Sequence, residues 1–469
     1  MFSFYDHVRR IGRRVARRNF LRVGSLGLGG LSLCDLLAAR AIATDQKSPL
    51  KDRSVIFLFM HGGPSQFETF DPKMNAPGGI RSVTGEIQTK IPGITFGSTF
   101  EKLAGLADKV SIVRSFTTGD GNHDIKPIVG KETLQANLGS LYARVAGPLR
   151  PSSGMPTNVA LFPRAVSPQA SPIITQFGNF ETTGGLGSNY APFVPGAGGN
   201  LQSDMTLNLP QERLLDRRLL LSAVDQWKRF ADSNHTIQGT REIQRQAFET
   251  LGGNISQAFD LSKEDPALIA RYDTATLLPK DRISAQWNNR SHYADNAQTL
   301  GKLLLLARRL CQHGAGFVTV TTSFVWDMHS DINNAPMDVG MDYVGRPFDH
   351  AVSAFIEDCE ARGIGDKILL VCCGEMGRTP RINANGGRDH WGGLAPLLLY
   401  GGGLSMGTVV GQSSRDGGEP ADNPVRISNL VATVIHSLLD VGQVRVMDGL
   451  PQSLLDTLTS GKPIAEILS

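Results

Sequence analysis

The stretch SVIFLFMHGGP, residues 54–64, decides the fold. After Ser54 six residues, 55–60, are apolar without interruption, which suits a strand buried on both faces of a parallel sheet rather than a half-exposed one. The run stops at a Gly-Gly-Pro turn, and His61 is the first polar side chain after it. Similar runs recur at 109–116 (KVSIVRSF), 158–163 (NVALFP), 317–322 (FVTVTT), 367–373 (KILLVCC) and 395–400 (APLLLY). Between them lie segments with apolar residues at helical spacing, at 131–147, 296–314, 348–363 and 427–441. Strands alternating with helices predict an α/β fold: a mostly parallel central sheet flanked by helices. Residues 172–206 read as a long Gly/Ser/Pro-rich irregular stretch, and about 207–275 as a helical insertion in a single domain over 50–465.

The N-terminus is a separate text. Residues 1–22 hold seven arginines and one acid, a charge of +6 against +3 for the whole chain, so the remainder sums to −3. A weakly hydrophobic Gly-rich stretch follows, ending in the small residues Ala41-Ile42-Ala43. This is the layout of an export signal, and Arg17-Arg18 before Asn19-Phe20-Leu21 resembles the twin-arginine type. Residues 1–43 are therefore expected to be a signal peptide recognised by the twin-arginine translocation machinery, with the protein periplasmic or secreted. No basic cluster lies in the folded part, which sets nucleic acid aside as a partner. Cys311, Cys359, Cys372 and Cys373 are too few and scattered for a disulfide framework and are expected to be structural, with a Cys311–Cys359 bridge left open.

Polar residues cluster just beyond the predicted strands, where sites of open α/β sheets form. His61 follows the first strand. Asp327 and His329 follow the 317–322 strand at i, i+2 spacing, so both point the same way if extended. Glu375 follows the 367–373 strand, and Asp389-His390 precedes the 395–400 strand. Adjacent residues point apart in extended chain, so one of this last pair is the expected ligand, with His390 preferred. Mixed imidazole and carboxylate donors suit zinc, manganese or iron better than calcium. His61, Asp327, His329, Glu375 and His390 are thus the expected ligands of one or two divalent metal ions.

The segments MHGGPSQFETFDPK, SNYAPFVPG, VWDMHSD and CGEMGRTPRIN…GGRDHWGG, with the twin-arginine start, resemble an exported bacterial family known as domain of unknown function 1501. That family is placed in the alkaline phosphatase/sulfatase superfamily. The resemblance implies an alkaline phosphatase-like α/β core and usually two metals at strand ends. It implies Asp327, His329 and His390 for one metal, Glu375 where the superfamily has an Asp-His pair for the second, and His61 where it has the acid after the first strand.

Where the superfamily has its Ser, Thr or Cys nucleophile this chain reads TTGDGNHDIKP, and no Cys-x-Pro-x-Arg motif occurs, which argues against a formylglycine sulfatase. His123, in that segment, is the expected general base. Arg114, Arg378 and Arg388 are the expected clamps on an anionic small-molecule or glycan ester. The function expected is an exported metal-dependent hydrolase of phosphate or sulfate esters. The alternative is a non-catalytic exported protein that keeps the fold and binds a metal or ligand.

Overall fold

The centre of the molecule is a seven-stranded sheet, seen in a computed structural model that describes residues 48–196, 255–321 and 323–468. Its strands are β1 (Ser54–Phe59), β2 (Ser111–Val113), β3 (Asn158–Leu161), β4 (Phe317–Thr321), β5 (Ile368–Cys373), β6 (Leu397–Gly401) and β7 (Val409–Val410). Their spatial order is β7-β2-β6-β5-β1-β4-β3. Only β6 runs against its neighbours; the other pairings are parallel. The sheet is mostly parallel, and each apolar run found in the sequence supplies a strand to it. The two-residue β7 was too short to show as a run.

Register explains why the site residues meet. Phe59 pairs with Thr321 on one side and with Cys373 on the other, so β1, β4 and β5 end in one row. The antiparallel β6 begins at that row, with Leu397 beside both Cys373 and Val113. The segments after β1, β2, β4 and β5, and the one before β6, therefore emerge at the same edge.

Alternation along the strands builds two cores. Ile56, Leu58, Leu370 and Cys372 face α2 (Arg290–Gln312) and α3 (Met337–Ala361), while Val55, Phe57, Phe59, Leu369 and Val371 face α1 (Leu138–Ala146) and α4 (Ile427–Leu438). Leu303 to Leu306 are all fully buried, as expected of a helix covered on every side. The helix expected from 348 starts eleven residues earlier, at Met337, and runs through Pro347. A proline there reads as a first-turn residue in sequence, but packing of Met337, Met341 and Val344 into the core outweighs its lost hydrogen bond. All four described cysteines are buried free thiols, so the Cys311–Cys359 bridge left open is not formed. The signal-peptide expectation and most of the helical insertion lie outside the described residues. The described end of that insertion, from 255, forms short helices at Ser256–Phe259 and Pro266–Tyr272.

Candidate metal centre

The turn after β1 organises the site. The His61 carbonyl accepts the N–H groups of Val325 and Trp326, drawing the chain after β4 across the strand ends. Gly62 lies at φ +115°, and a Cβ there would stand 2.6 Å from the Asp327 nitrogen. Only glycine allows both that backbone and that approach. Asp327 and His329 then point the same way, as their spacing predicted, while Met328 between them is buried against Gly340.

Four side chains converge. Asp327 Oδ1 lies 2.9 Å from His329 Nε2, 3.3 Å from His390 Nε2 and 3.4 Å from His123 Nε2. The donor atoms all fall within 4.8 Å of one another. Donors around a tetrahedral zinc stand about 3.3 Å apart, given bonds of ~2.0–2.1 Å, so the spacing fits a transition-metal ion. The His329 and His390 Nε2 atoms are 2.7 Å apart.

Two carboxylates set the tautomers. Glu375 Oε1 accepts the Gly62 N–H at 2.9 Å and faces His123 Nδ1 at 3.0 Å. Asp389 Oδ1 faces His329 Nδ1 at 3.2 Å. A carboxylate holds the proton on Nδ1 and leaves the Nε2 lone pair for the cluster, the usual outer partner of a metal-bound histidine. Asn334 donates to Asp327 Oδ2 at 3.3 Å and is itself held by Asn289 at 2.7 Å.

The electrostatics act differently on the donors. Burial pushes the Asp327 carboxyl up, but the Arg378 guanidinium at 2.7 Å and the three imidazoles outweigh it and hold it well below the usual carboxylate range. Burial lowers the His123 imidazole, yet its bonds to Asp327 and Glu375 leave the pKa raised. For His390 burial prevails and the pKa is lowered. Solvent reaches the cluster mainly through His390 and His329, whose side chains are 31% and 22% exposed, against 11% for His123.

Several expectations shift. His123, expected as general base, has both ring nitrogens engaged and stands among the four converging donors. Glu375, expected as a ligand of its own, lies outside that group and orients His123 instead. His61 also lies outside it, packed at 4.9–6.0 Å against Phe59, Phe177, Phe180 and Phe324, with burial lowering its pKa to about 4. His61 Nε2 and Glu375 Oε2 are buried without a hydrogen-bond partner.

The arginines are placed as braces. Arg378 is fully buried and donates to the carbonyls of Gly62, Gly63, Trp326 and Arg388 as well as to Asp327. Arg388 is equally buried, donating to the Thr379, Pro380, Ile80 and Arg81 carbonyls and lying 4.2 Å over the Phe67 ring. Arg114 donates to Phe70 and Thr95 and lines a separate cavity of about 440 Å³ with Asp71, Lys73 and Ser413. The expected clamp therefore gives way to bracing, because carbonyl cages take up these guanidiniums. Thr117, in the segment expected to hold a nucleophile, donates its hydroxyl to the Gly392 carbonyl.

The sequence profile of the family described as protein of unknown function (DUF1501) matches residues 52–468. The chain belongs to that family. Among solved structures, this DUF1501 protein is similar to the PsFucS1 sulfatase from Pseudoalteromonas sp., at 12% identity and a TM-score of 0.35, covering 91% of this chain and 76% of that one. It is also similar to a phosphonate monoester hydrolase from Silicibacter pomeroyi, at 10% identity and a TM-score of 0.35, covering 88% and 78%. A third is a TAB5 alkaline phosphatase mutant, at 11% identity and a TM-score of 0.28, covering 83% and 99%. No curated protein matches the chain.

Proposed function

We propose that this DUF1501 protein is an exported metal-dependent hydrolase of phosphate or sulfate esters. The observation that carries the reading is the convergence of His123, Asp327, His329 and His390 at a sheet edge reached by solvent. A divalent cation held by those four, zinc, manganese or iron by donor chemistry, would supply Lewis acidity toward an ester oxygen and toward water. The chain's own groups do the rest. Asp327 brings the negative charge, Glu375 and Asp389 orient His123 and His329, and Arg378 adds a positive charge behind Asp327 that suits an anionic small-molecule or glycan ester. Glu375 Oε2 and His61 Nε2, buried without a hydrogen-bond partner, are the candidate donors to a second ion. The N-terminal 43 residues would direct export through the twin-arginine machinery to the periplasm or beyond; replacing Arg17-Arg18 with lysines should retain the chain in the cytoplasm.

One observation favours the alternative of a non-catalytic exported metal- or ligand-binding protein: four protein donors already fill a tetrahedral shell, as in structural zinc sites. Elemental mass spectrometry of the purified chain beside Asp327→Ala and His390→Ala tests the centre, and a panel of phosphate and sulfate esters then tests turnover. One or two equivalents of metal, lost in both folded variants, with metal-dependent hydrolysis, is the expected result. Bound metal with no turnover would support the binding reading. A folded chain that takes up no zinc, manganese or iron would sink the hydrolase reading and leave a ligand-binding or structural role.

A further inference from the structure

The two flanks of the metal centre differ in chemistry. On the His329 side stand Asp389, Asn383 and Arg378. On the His123 side stand rings: Phe324 lies 4.7 Å from the His123 ring and Phe177 lies 5.0 Å from it. Those two phenylalanines stack on each other at 4.8 Å with 25° between their planes, and His123 in turn meets His390 at 4.1 Å. A continuous row of rings thus runs from Phe177 to the solvent-reached side of the cluster.

Packing accounts for Phe324, which is 6% exposed. Phe177 packs against Phe324, His61 and His123 but stays partly exposed, on a loop and next to the exposed Gln176. The loop is nonetheless held in place. Gly178 lies at φ +145°, and a Cβ there would meet the Ile125 side chain at 2.6 Å. Ile125 is two residues from His123, so the chain that carries Phe177 is fastened to the chain that carries the candidate ligand.

We propose that Phe177, backed by Phe324, forms a subsite for the organic group of the substrate, and that this group is an aryl ring borne directly on the anionic centre. The inference rests on the hydrolase reading above. Phe177 lies 5.0 Å, ring centre to ring centre, from His123, so a flat apolar group attached without a spacer to an anion held at the cluster would come within reach of it, and offset or edge contact between rings would add to the burial.

Calorimetric titration of the metal-loaded full chain with phenylphosphonate and methylphosphonate tests this. Phenylphosphonate is expected to bind about tenfold more tightly, and Phe177→Ala to erase that advantage while leaving methylphosphonate binding and metal content unchanged. Phe177→Tyr should keep the advantage. Equal binding of the two anions by the unaltered chain, or an advantage that survives in Phe177→Ala, would overturn the subsite alone. Loss of metal in Phe177→Ala would assign the ring to holding His123 and overturn it as well. Binding of neither anion by metal-loaded protein would bring down the hydrolase reading together with the subsite.

Discussion

Among the described residues, two of the buried ionic clusters are built on opposite plans. Between the helices, Arg308 is 1% exposed and pairs with Glu264 at 3.1 Å and Asp358 at 2.9 Å, while Arg309 and Arg362 take the remaining carboxylate oxygens at 2.7 Å. Cations and anions alternate there, and the charges are answered within the protein. At the strand ends, three imidazoles and Asp327 aim donor atoms at one place, and two more carboxylates stand behind them. In the first arrangement each carboxylate already faces guanidinium groups. The second gathers electron pairs, which is costly unless a cation shares them. The difference separates a brace from a binding centre more clearly than burial or charge count does.

Substitutions can break that contrast. Arg308→Met should lower unfolding stability by about 3–5 kcal/mol, because it leaves buried carboxylates short of a partner, yet metal content should not change. Chemical denaturation alongside elemental analysis checks both halves. His390→Ala should do the reverse. Structural zinc is worth about 10–16 kcal/mol over four ligands, so one ligand corresponds to ~2.5–4 kcal/mol and a metal Kd weaker by about 60- to 700-fold, with the fold retained.

His61 sharpens the contrast through pH. It sits neutral in an aromatic box with its pKa lowered to about 4, against 6.5 for an unburied imidazole. Above pH 6.5 it is neutral in both folded and unfolded chains and contributes no slope. As pH falls from 6.5 to 4 the unfolded chain takes up the proton and the fold does not, so stability falls, by about 3 kcal/mol at ~1.36 kcal/mol per unit, and then levels. His61→Phe in the metal-free chain should remove that slope, measured as the denaturation midpoint against pH.

The smallest effects belong to the orienting carboxylates. Glu375→Gln should weaken metal binding by about 10–100-fold and Asp389→Asn by about tenfold, because the first is fully buried and the second 60% exposed. Competition titration with a chelating dye measures both. Equal losses would show that burial of the outer carboxylate does not matter here.

Much of the centre could be read from the chain in order. The strand-end positions of Asp327 and His329 were legible because uninterrupted apolar runs mark buried parallel strands, and i, i+2 spacing keeps two side chains together. The preference for His390 over Asp389 rested on their pointing apart. The structure gives both a place: His390 enters the cluster, and Asp389 turns back to His329. Asn334 and Asn289 were missed, although the repeated Asn-Asn pairs at 288–289 and 333–334 were a signal; they bond across to each other as two rungs.

What the linear chain determined was the sheet, its direction and the edge at which the polar residues gather, because hydrophobic periodicity and turn chemistry are local. Which of those residues converge was decided only in three dimensions. His123 joins the converging donors and Glu375 stands behind it, because the segment after β2 returns to the sheet edge and puts an imidazole where a carboxylate was expected. Arg378 and Arg388 become braces because loops distant in sequence close carbonyl cages around them. Both outcomes depend on backbone atoms from remote segments arriving at one point, and no local pattern of side chains records where a carbonyl will be.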